Sequence, residues 1–353
     1  MKFMKFVSAG IAIVSCIATS ATMAQQSPAP AKSWADSITV KGDLRYREEL
    51  INDDAKLNKA KDTFTRERER VRARFGLESK LSDTLKGEIE LSTGQADPVS
   101  GNQTIGDIFG KKDMKLNLAY FDWTLVNQDP QLVNVVGGKM KNPFICVSDL
   151  VWDPDMTPEG MAAKGQAVAG PVTFLANAAY WWLQERNTDD GDDSTMLGAQ
   201  GAIRIQPADE FWVTLGLSYY SFDNLKGYDV MDWEGKNNGY GNSTKAGTVS
   251  GTTTNKAYKF DYVPVEIFAE LGVYAGTLPI TLFGQTVSNG EADGNDSGYQ
   301  AGLVVGKAKN PNTFELAYSY AELKKDALLG ALTDSDRWGG GTDGRGHKVQ
   351  GKY

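Results

Sequence analysis

The sequence predicts an all-β protein, a transmembrane antiparallel up-and-down β-barrel, and three observations lead to this prediction. Apolar and polar residues alternate with a period of two over many short segments, which is typical of strands with one apolar face. The connections between these segments alternate between long and short. Beyond the N-terminal region the chain contains no long apolar stretch, so strands rather than apolar helices would have to cross a membrane.

The composition agrees with a protein made of many strands and tight turns. The 353 residues include 38 Gly but only 12 Pro, and 41% of them are hydrophobic. A chain of this hydrophobicity can bury a core and is not expected to be disordered, while its Gly content suits strands joined by turns. The formal net charge of −8 argues against a nucleic acid as a partner.

The N-terminus has the pattern of a secretory signal peptide. A short basic region at residues 1–5 precedes an apolar run at residues 6–18, and Ala24 ends a suitable cleavage site. The apolar run is too short to span the roughly 30 Å of a hydrocarbon core, whereas Cys16 leaves lipoprotein processing open as an alternative. The predicted regions are a signal peptide at residues 1–24, a linker at residues 25–36 and the barrel at residues 37–353.

The alternation is clearest in the first two predicted strands. In residues 37–50 the apolar side chains fall on one face, and Arg45 and Arg47 fall on the other. In the next strand, residues 70–78, the apolar positions alternate with Arg70, Arg72 and Arg74. Weaker alternation of the same kind occurs in residues 85–91, 197–206, 211–219, 314–320 and 346–353.

The lengths of the connections predict the orientation of the barrel. The predicted short connections are residues 81–84, 127–130, 169–171, 207–210, 275–278 and 309–311. The predicted long connections are residues 51–63, 95–112, 142–157, 187–194, 224–257, 289–297 and 325–345. Bacterial outer-membrane barrels have short periplasmic turns and long extracellular loops, and the observed alternation fits this rule.

This alternation also fixes the expected number of strands. It requires a weak strand at residues 158–168 and gives about 14 strands by Tyr353. The last segment is short and contains Gly351, which is unlike a full closing strand. We therefore expect the chain to be truncated at its C-terminus, with 16 strands in the complete protein.

Aromatic residues near the predicted strand ends support a membrane location. Tyr and Trp are enriched at both membrane interfaces, where one side of the ring is apolar and the other is hydrated. The candidates for these girdles are Tyr120, Trp123, Trp152, Tyr180, Trp181, Trp182, Trp212, Tyr219, Tyr220, Tyr274, Tyr318 and Tyr320.

The sequence offers few residues for catalysis or metal binding. After removal of the signal peptide, Cys146 is the single cysteine and His347 the single histidine, so that a disulfide, a Ser-His-Asp triad or a multi-His zinc site lacks its parts. The Asp-rich turn at residues 189–193 does not have the EF-hand spacing of a calcium loop. We therefore expect no enzyme activity, no cofactor and no metal.

A row of arginines is the strongest candidate for a functional surface. The arginines at alternate positions 66 to 74 share one face. Because the opposite face of residues 70–74 must meet lipid, we expect Arg70, Arg72 and Arg74 to face the interior together with Arg45 and Arg47. Arg66 and Arg68 are expected to lie above the membrane, because Glu67 and Glu69 interrupt the apolar face there. Such a row could attract anions, or it could pair with carboxylates and stiffen the wall. The carboxylates expected for that pairing are Asp43, Glu88 and Glu90. The predicted pore-lining residues are Arg45, Arg47, Arg70, Arg72, Arg74, Glu88, Glu90, Lys139, Lys141 and Arg204.

The long connection at residues 142–157 is the candidate for a constriction. It contains Asp149, Asp153 and Asp155, and if it folds into the lumen these carboxylates would face the basic wall and build a transverse field. The alternative is a loop that lies on the surface.

Three motifs resemble a known family. Residues 138–144 (GKMKNPF), residues 150–160 (LVWDPDMTPEG) and the Gly- and Asp-rich residues 333–347 are similar to segments of the putative porins of Gram-negative bacteria. The resemblance runs along the whole chain, and the WDPD-type block is its most specific part. It implies a 16-stranded barrel of the outer membrane, usually trimeric, and carries over no catalytic residue.

The resemblance implies a water-filled channel for passive diffusion of small hydrophilic solutes and ions, with an anion preference if the arginines set it. The expected partners are membrane lipid, lipopolysaccharide and further copies of the chain in a homotrimer. Two alternatives stay open at this point. One is a substrate-specific anion channel, and the other is a non-conducting barrel that carries loops for adhesion or reception.

Overall fold

The computed structural model describes residues 34–53, 64–186, 193–233, 238–246 and 256–353. The predicted signal peptide and most of the predicted linker lie outside these residues. Within the described residues the chain forms seventeen strands and three short 3₁₀ helices. The strands are β1 Ile38–Asp53, β2 Phe64–Lys80, β3 Leu85–Thr93, β4 Gln103–Thr104, β5 Met114–Gln128, β6 Gln131–Lys139, β7 Glu159–Ala169, β8 Val172–Gln184, β9 Ser194–Ala208, β10 Phe211–Asp223, β11 Thr244–Ala246, β12 Lys256–Tyr258, β13 Pro264–Ala275, β14 Leu278–Asn289, β15 Ser297–Gly306, β16 Glu315–Leu323 and β17 Gly344–Lys352.

Fourteen of these strands, counted over the described residues, form one antiparallel wall in chain order. Each strand pairs with the next along the chain, which is the up-and-down topology that the sequence predicts. The other three are short: β4 pairs with β2, and β11 with β12 forms a separate hairpin. The helices are Trp34–Ser37, Gly239–Gly241 and Gly330–Leu332. No helix in the described part of the chain has the length and hydrophobicity that a membrane span requires.

The predicted turns and the weakest predicted strand are confirmed. β7 covers the segment that the connection lengths required near residues 158–168. The tight turns after β7 and β13 contain Gly170 (φ 58°) and Gly276 (φ 67°), and a left-handed residue in such a turn favours Gly because it has no Cβ. These turns fix the register of the strands on either side.

The two faces of the wall differ as the alternation predicts. On β1 and β2 the apolar Val40, Leu44 and Phe75 are exposed, whereas Arg72 on the opposite face is buried. An apolar outer band and a polar interior are the features of a transmembrane barrel. The fold is therefore an all-β, antiparallel, up-and-down β-barrel.

The two ends of the wall, β1 and β17, form no ladder with each other among the described residues. The connection before β17 nevertheless reaches β1, because both Nη atoms of Arg47 donate to the carboxylate of Asp336 at 2.7 Å. The prediction of 14 strands in this chain is confirmed, and 16 strands in a complete protein stays a prediction.

An apolar core fills part of the interior. It joins three connections, those between β6 and β7, between β10 and β13, and between β16 and β17, with inward-facing residues of the wall. Three residues that we predicted for the interface girdles belong to this core instead: Trp152, Trp181 and Tyr220. Their rings are buried because they pack under the inward-folded connections and not because they meet lipid headgroups.

Candidate pore constriction

The connection between β6 and β7, residues 140–158, folds into the interior, and we call it the constriction loop. At its base, the Met140 amide donates to the Pro158 carbonyl at 2.8 Å. Lys141 places its Nζ 2.9 Å from both carboxylate oxygens of Glu88 on β3. The interior position was one of the two predicted alternatives, and the burial of Leu150, Val151 and Trp152 excludes a loop on the surface.

The middle of the loop contacts the opposite side of the wall. The Ile145 amide donates to Oε1 of Gln200 on β9 at 2.7 Å. Three residues further, the Ser148 hydroxyl contacts Oε1 of Gln285 on β14 and Oε1 of Gln300 on β15. The loop therefore extends from β3 across the interior to β14 and β15.

The acidic half of the loop returns toward the two ends of the wall. Asp149 binds Arg337 at 3.1 Å and Lys348 on β17 at 2.7 Å. Asp155 binds Arg72 on β2 at 2.6 Å. Two of the carboxylates predicted from the sequence, Asp149 and Asp155, therefore lie inside the barrel and make direct ion pairs with basic side chains.

The third carboxylate, Asp153, is buried, and it forms no ion pair with a basic side chain in the part of the chain that the structure describes. It accepts hydrogen bonds from the backbone amides of Asp155 (2.7 Å) and Ser335 (2.8 Å). Burial raises the pKa of Asp153 to about 8, and the nearby charges of Asp334 and Asp155 act in the same direction. Asp153 thus joins the constriction loop to the connection between β16 and β17.

Two further carboxylates at this junction, Asp334 and Asp149, have pKa values that are shifted in opposite directions. Burial raises the pKa of Asp334 to about 7, against the opposing effect of Lys348. Burial also opposes ionisation of Asp149, yet the charges of Lys348 and Arg337 hold its pKa below the usual range. Lys348 lies 2.7 Å from both carboxylates, so Asp149 carries the negative charge of this group.

The arginine ladder, which we define as Arg45, Arg47, Arg70, Arg72 and Arg74, lies on the inner face of β1 and β2. Arg45 is directly opposite Arg72, and Arg47 is directly opposite Arg70. Like charges in such positions repel each other, so the ladder requires anions between its members.

Carboxylates from the wall and from two connections supply these anions. Asp43 binds Arg72 at 3.0 Å and Arg74 at 2.5 Å. Glu49 binds Arg70 at 3.3 Å and also contacts Arg47 and Arg68. The remaining carboxylates are Asp155 of the constriction loop and Asp336 of the connection between β16 and β17.

The predicted partners of the ladder are thus correct for Asp43 and wrong for two glutamates. Glu88 instead accepts from the Tyr120 hydroxyl at 2.6 Å and binds Lys141 and Lys41. Glu90 accepts from Asn117 at 2.7 Å. Tyr120 and Asn117 both belong to β5, which pairs with β3 on the side away from the ladder, and on the ladder's side Glu88 contacts Lys41 rather than an arginine.

The other predicted pore-lining cations have local roles. Lys139 donates to the Thr157 carbonyl at 3.0 Å and to Glu159 at 2.9 Å, which ties together the two strands that flank the constriction loop. Arg204 lies on β9 near its short turn, with its guanidinium 5.3 Å from the Trp212 ring centroid. Neither contact joins the arginine ladder.

The glutamines that hold the loop are not among the pore-lining residues predicted from the sequence. Gln200, Gln285 and Gln300 are all buried. Their only signal in the sequence is that each occupies an inward-facing position of an alternating strand. That signal shows where the side chains point, but the loop that they contact cannot be read from it.

A cluster of aromatic side chains packs around the Trp of the constriction loop. Trp152 makes edge-to-face contacts with Trp181 and Tyr220, at ring-centroid distances of 5.1 and 5.0 Å. The Tyr220 hydroxyl donates to Glu266 at 2.8 Å. The Trp of the WDPD-type block therefore anchors the loop in the apolar core.

The described residues contain no group of three or more His, Cys, Asp or Glu side chains placed to hold a metal ion. Within the Asp-rich turn, residues 189–192 lie outside the described residues.

Comparisons with known proteins bear on the family and the fold of the chain. The family model described as "Putative porin" matches residues 51–248. No curated protein sequence matches the chain. Among solved structures, OprB of Pseudomonas putida at high pH has a TM-score of 0.51 and 11% identity, over 90% of this chain and 84% of OprB. This likeness supports the barrel fold.

Two further solved structures are similar at lower scores. The Salmonella typhi OmpF complex with daunomycin has a TM-score of 0.48 and 9% identity, over 91% of this chain and 98% of OmpF. The outer membrane channel DcaP of Acinetobacter baumannii has a TM-score of 0.40 and 14% identity, over 83% of this chain and 93% of DcaP.

Proposed function

Because the chain belongs to the putative porin family, we propose that it forms a water-filled channel through which small hydrophilic solutes and ions diffuse passively. Porins are barrels of the outer membrane, and this is where the chain is located. The observation that carries the proposal is the constriction loop, which narrows the interior between β3, β14 and β15. A loop folded inward against a charged wall gives a channel its size limit and its field.

We further propose that the channel prefers anions. In the described residues, the five arginines of the ladder share four carboxylates: Asp43, Glu49, Asp155 and Asp336. The buried Nε atoms of four of these arginines have no hydrogen-bond partner among the residues that the structure describes. The excess positive charge lies in a confined space, where its effect on ions is larger than in bulk water.

Single-channel recording in a planar bilayer tests this proposal. The parent protein should give stable ohmic steps, and the reversal potential under a KCl gradient should have the sign of an anion preference. Arg70→Ser, Arg72→Ser and Arg74→Ser together should shift the reversal potential toward cations. Arg345→Ser, at an exposed position of β17, is the matched control and should leave it unchanged.

A second variant tests the same idea from the loop. Asp155→Asn removes a carboxylate that binds Arg72 and Arg45, so it should strengthen the anion preference that the triple variant weakens. If neither variant moves the reversal potential, the arginine ladder is a structural network and does not select ions. Loss of heat-modifiable migration on gels would identify any variant that fails to fold.

A second candidate function is a non-conducting barrel that presents loops to a partner. The observation in its favour is the apolar core, in which three long connections pack together inside the barrel. A folded, heat-modifiable protein that gives no conductance steps would support this candidate. Saturable block of the current by an anionic solute would instead support a substrate-specific anion channel.

We also propose that the channel is a homotrimer in contact with lipid and lipopolysaccharide. The connection between β4 and β5 places Ile108 and Phe109 in almost full exposure. Two adjacent apolar side chains at a loop tip are unfavourable in water. A second copy of the chain is the partner that would cover them.

A further inference from the structure

The constriction loop is held by two groups of contacts that differ in their chemistry. Its acidic half is bound by ion pairs to β2 and β17, through Asp155 and Asp149. The half around Ile145 and Ser148 is bound by amide groups of the wall. The wall residues that provide these amides are Gln200, Gln285 and Gln300, and we call them the glutamine rack.

Gln200 uses its complete hydrogen-bonding capacity. Its Oε1 accepts from the Ile145 amide at 2.7 Å and from Asn177 at 3.1 Å. Its Nε2 donates to the Ile145 carbonyl and to the Ser218 hydroxyl, both at 3.0 Å. A primary amide has two donor hydrogens and two acceptor lone pairs. The reciprocal bonds to Ile145 resemble those of an antiparallel residue pair, so they define the distance of the loop from the wall.

Gln285 and Gln300 hold the loop at Ser148. The Ser148 hydroxyl contacts the Oε1 atoms of both glutamines, at 3.1 Å for Gln300. Their nitrogens are engaged as well, because Gln285 donates to Glu266 at 2.6 Å and Gln300 donates to Asp149 at 2.8 Å. The exposed fractions of the three glutamines are 4%, 6% and 3%. A buried amide that loses its partner is costly, so the loop is fixed at both points.

From this geometry we propose that the glutamine rack positions the constriction loop and thereby sets the width of the open channel. The rack consists of neutral groups, which a permeating ion has little tendency to displace. Ion pairs that water can reach weaken as salt increases, whereas the bonds from Gln200 to the Ile145 backbone and from the Ser148 hydroxyl to the rack join neutral groups, which have no net charge to screen. The rack therefore keeps the loop in place under conditions that weaken its acidic half.

The native cysteine offers a direct measurement. Cys146 lies between Ile145 and Ser148 and is exposed, so a nitroxide attached to it reports the mobility of the loop at the rack. In a Cys16→Ser background, the parent should give an immobilised electron paramagnetic resonance spectrum. Gln200→Ala should raise the mobile fraction roughly tenfold, because it removes two hydrogen bonds to the loop.

Two further variants separate positioning from a general effect on the wall. Ser148→Ala changes the loop and leaves the wall intact, and it should also raise the mobile fraction. Gln166→Ala is the matched control, because Gln166 is an exposed glutamine on β7, and its spectrum should equal that of the parent. Gln200→Ala and Ser148→Ala should both broaden the distribution of open-channel currents in bilayers.

The predicted effect on the open-channel currents rests on the proposed function. The predicted effect on the electron paramagnetic resonance spectra does not. If no variant and no parent protein conducts while the spectra change as expected, the proposed function fails and the rack stands. The proposal is overturned if the label stays immobilised in both Gln200→Ala and Ser148→Ala, or if Gln166→Ala mobilises it equally. Heat-modifiable migration of each variant shows that the barrel has folded.

Discussion

Three glycines of the inner wall lie directly opposite aromatic residues on neighbouring strands. Gly216 pairs with Phe268, and Gly272 pairs with Trp212, while the third pair is Gly302 with Phe283. A Cβ on any of these glycines would lie 2.4 Å or less from the facing ring. The aromatic ring therefore covers the glycine and restores the packing that a strand glycine lacks.

This pairing predicts the cost of a single methyl group. Gly216→Ala places a Cβ 2.1 Å from the Phe268 ring, and the buried Phe268 has little room to move. Overpacking of this kind costs about 1–3 kcal/mol. We expect Gly216→Ala to lower the unfolding temperature of the barrel, measured as the temperature at which its heat-modifiable form is lost.

The control for this prediction is on the neighbouring strand. A Cβ on Gly201 of β9 would meet nothing within 4 Å, so Gly201→Ala should leave the unfolding temperature unchanged or raise it slightly. Equal unfolding temperatures for the two variants would show that the Phe268 ring gives way without cost.

At the scale of elements, the strands and turns could be predicted from the sequence because their signals are local. Alternation with a period of two defines β1 and β2, and the lengths of the connections required β7 before any contact was known. Turn residues such as Gly170 mark the points where the wall reverses. Alternation and turn residues are read within about a dozen neighbouring residues, and the connection lengths follow from where those strands begin and end.

The inward folding of the connections could not be predicted in the same way. Trp152 and Trp181 occupy positions that suit an interface girdle equally well, and their burial depends on segments that are distant in sequence. The same holds for Asp155 and Arg72, which are 83 residues apart. Such contacts depend on how the barrel brings its connections together, and alternation carries no information about that.

The contact between the constriction loop and the connection before β17 should depend on pH. The pKa of buried Asp153 is about 8 in the folded protein, against an ordinary value near 4. The folded state therefore binds a proton that the unfolded state releases, and stability falls as pH rises from about 4 to about 8. Asp334, with a pKa of about 7, acts in the same direction.

This dependence can be measured as the unfolding temperature at pH 6 and at pH 9. The parent should unfold at a lower temperature at pH 9, by roughly 2–4 °C for each kcal/mol lost. Asp153→Asn should reduce this difference, because an amide does not ionise. Asp83→Asn, in the exposed turn between β2 and β3, should retain it. A parent whose unfolding temperature is equal at both pH values would contradict a protonated Asp153.

At the scale of the whole molecule, the barrel separates its charged groups from its apolar groups in two directions. Across the wall, apolar side chains face outward and polar ones face inward. Within the interior, the arginine ladder lies on β1 and β2, whereas the aromatic support of the loop involves Trp181 on β8 and Tyr220 on β10. The constriction loop links the two regions, because it contacts both.

The last prediction tests the proposed homotrimer and concerns an exposed apolar loop tip on the outer surface. Ile108 and Phe109 have positive φ angles of 42° and 60°, which are unfavourable for non-glycine residues and especially for a β-branched one. A strained and exposed apolar tip gains stability when a second copy covers it. Ile108→Ser with Phe109→Ser should therefore shift the protein from trimer to monomer on unheated gels, and replace three-step closures in bilayers by single steps.

Leu81→Ser, at an exposed apolar position in the turn between β2 and β3, is the control that should remain trimeric. A trimer that persists in the double variant would show that the strands of the wall, and not this tip, hold the subunits together.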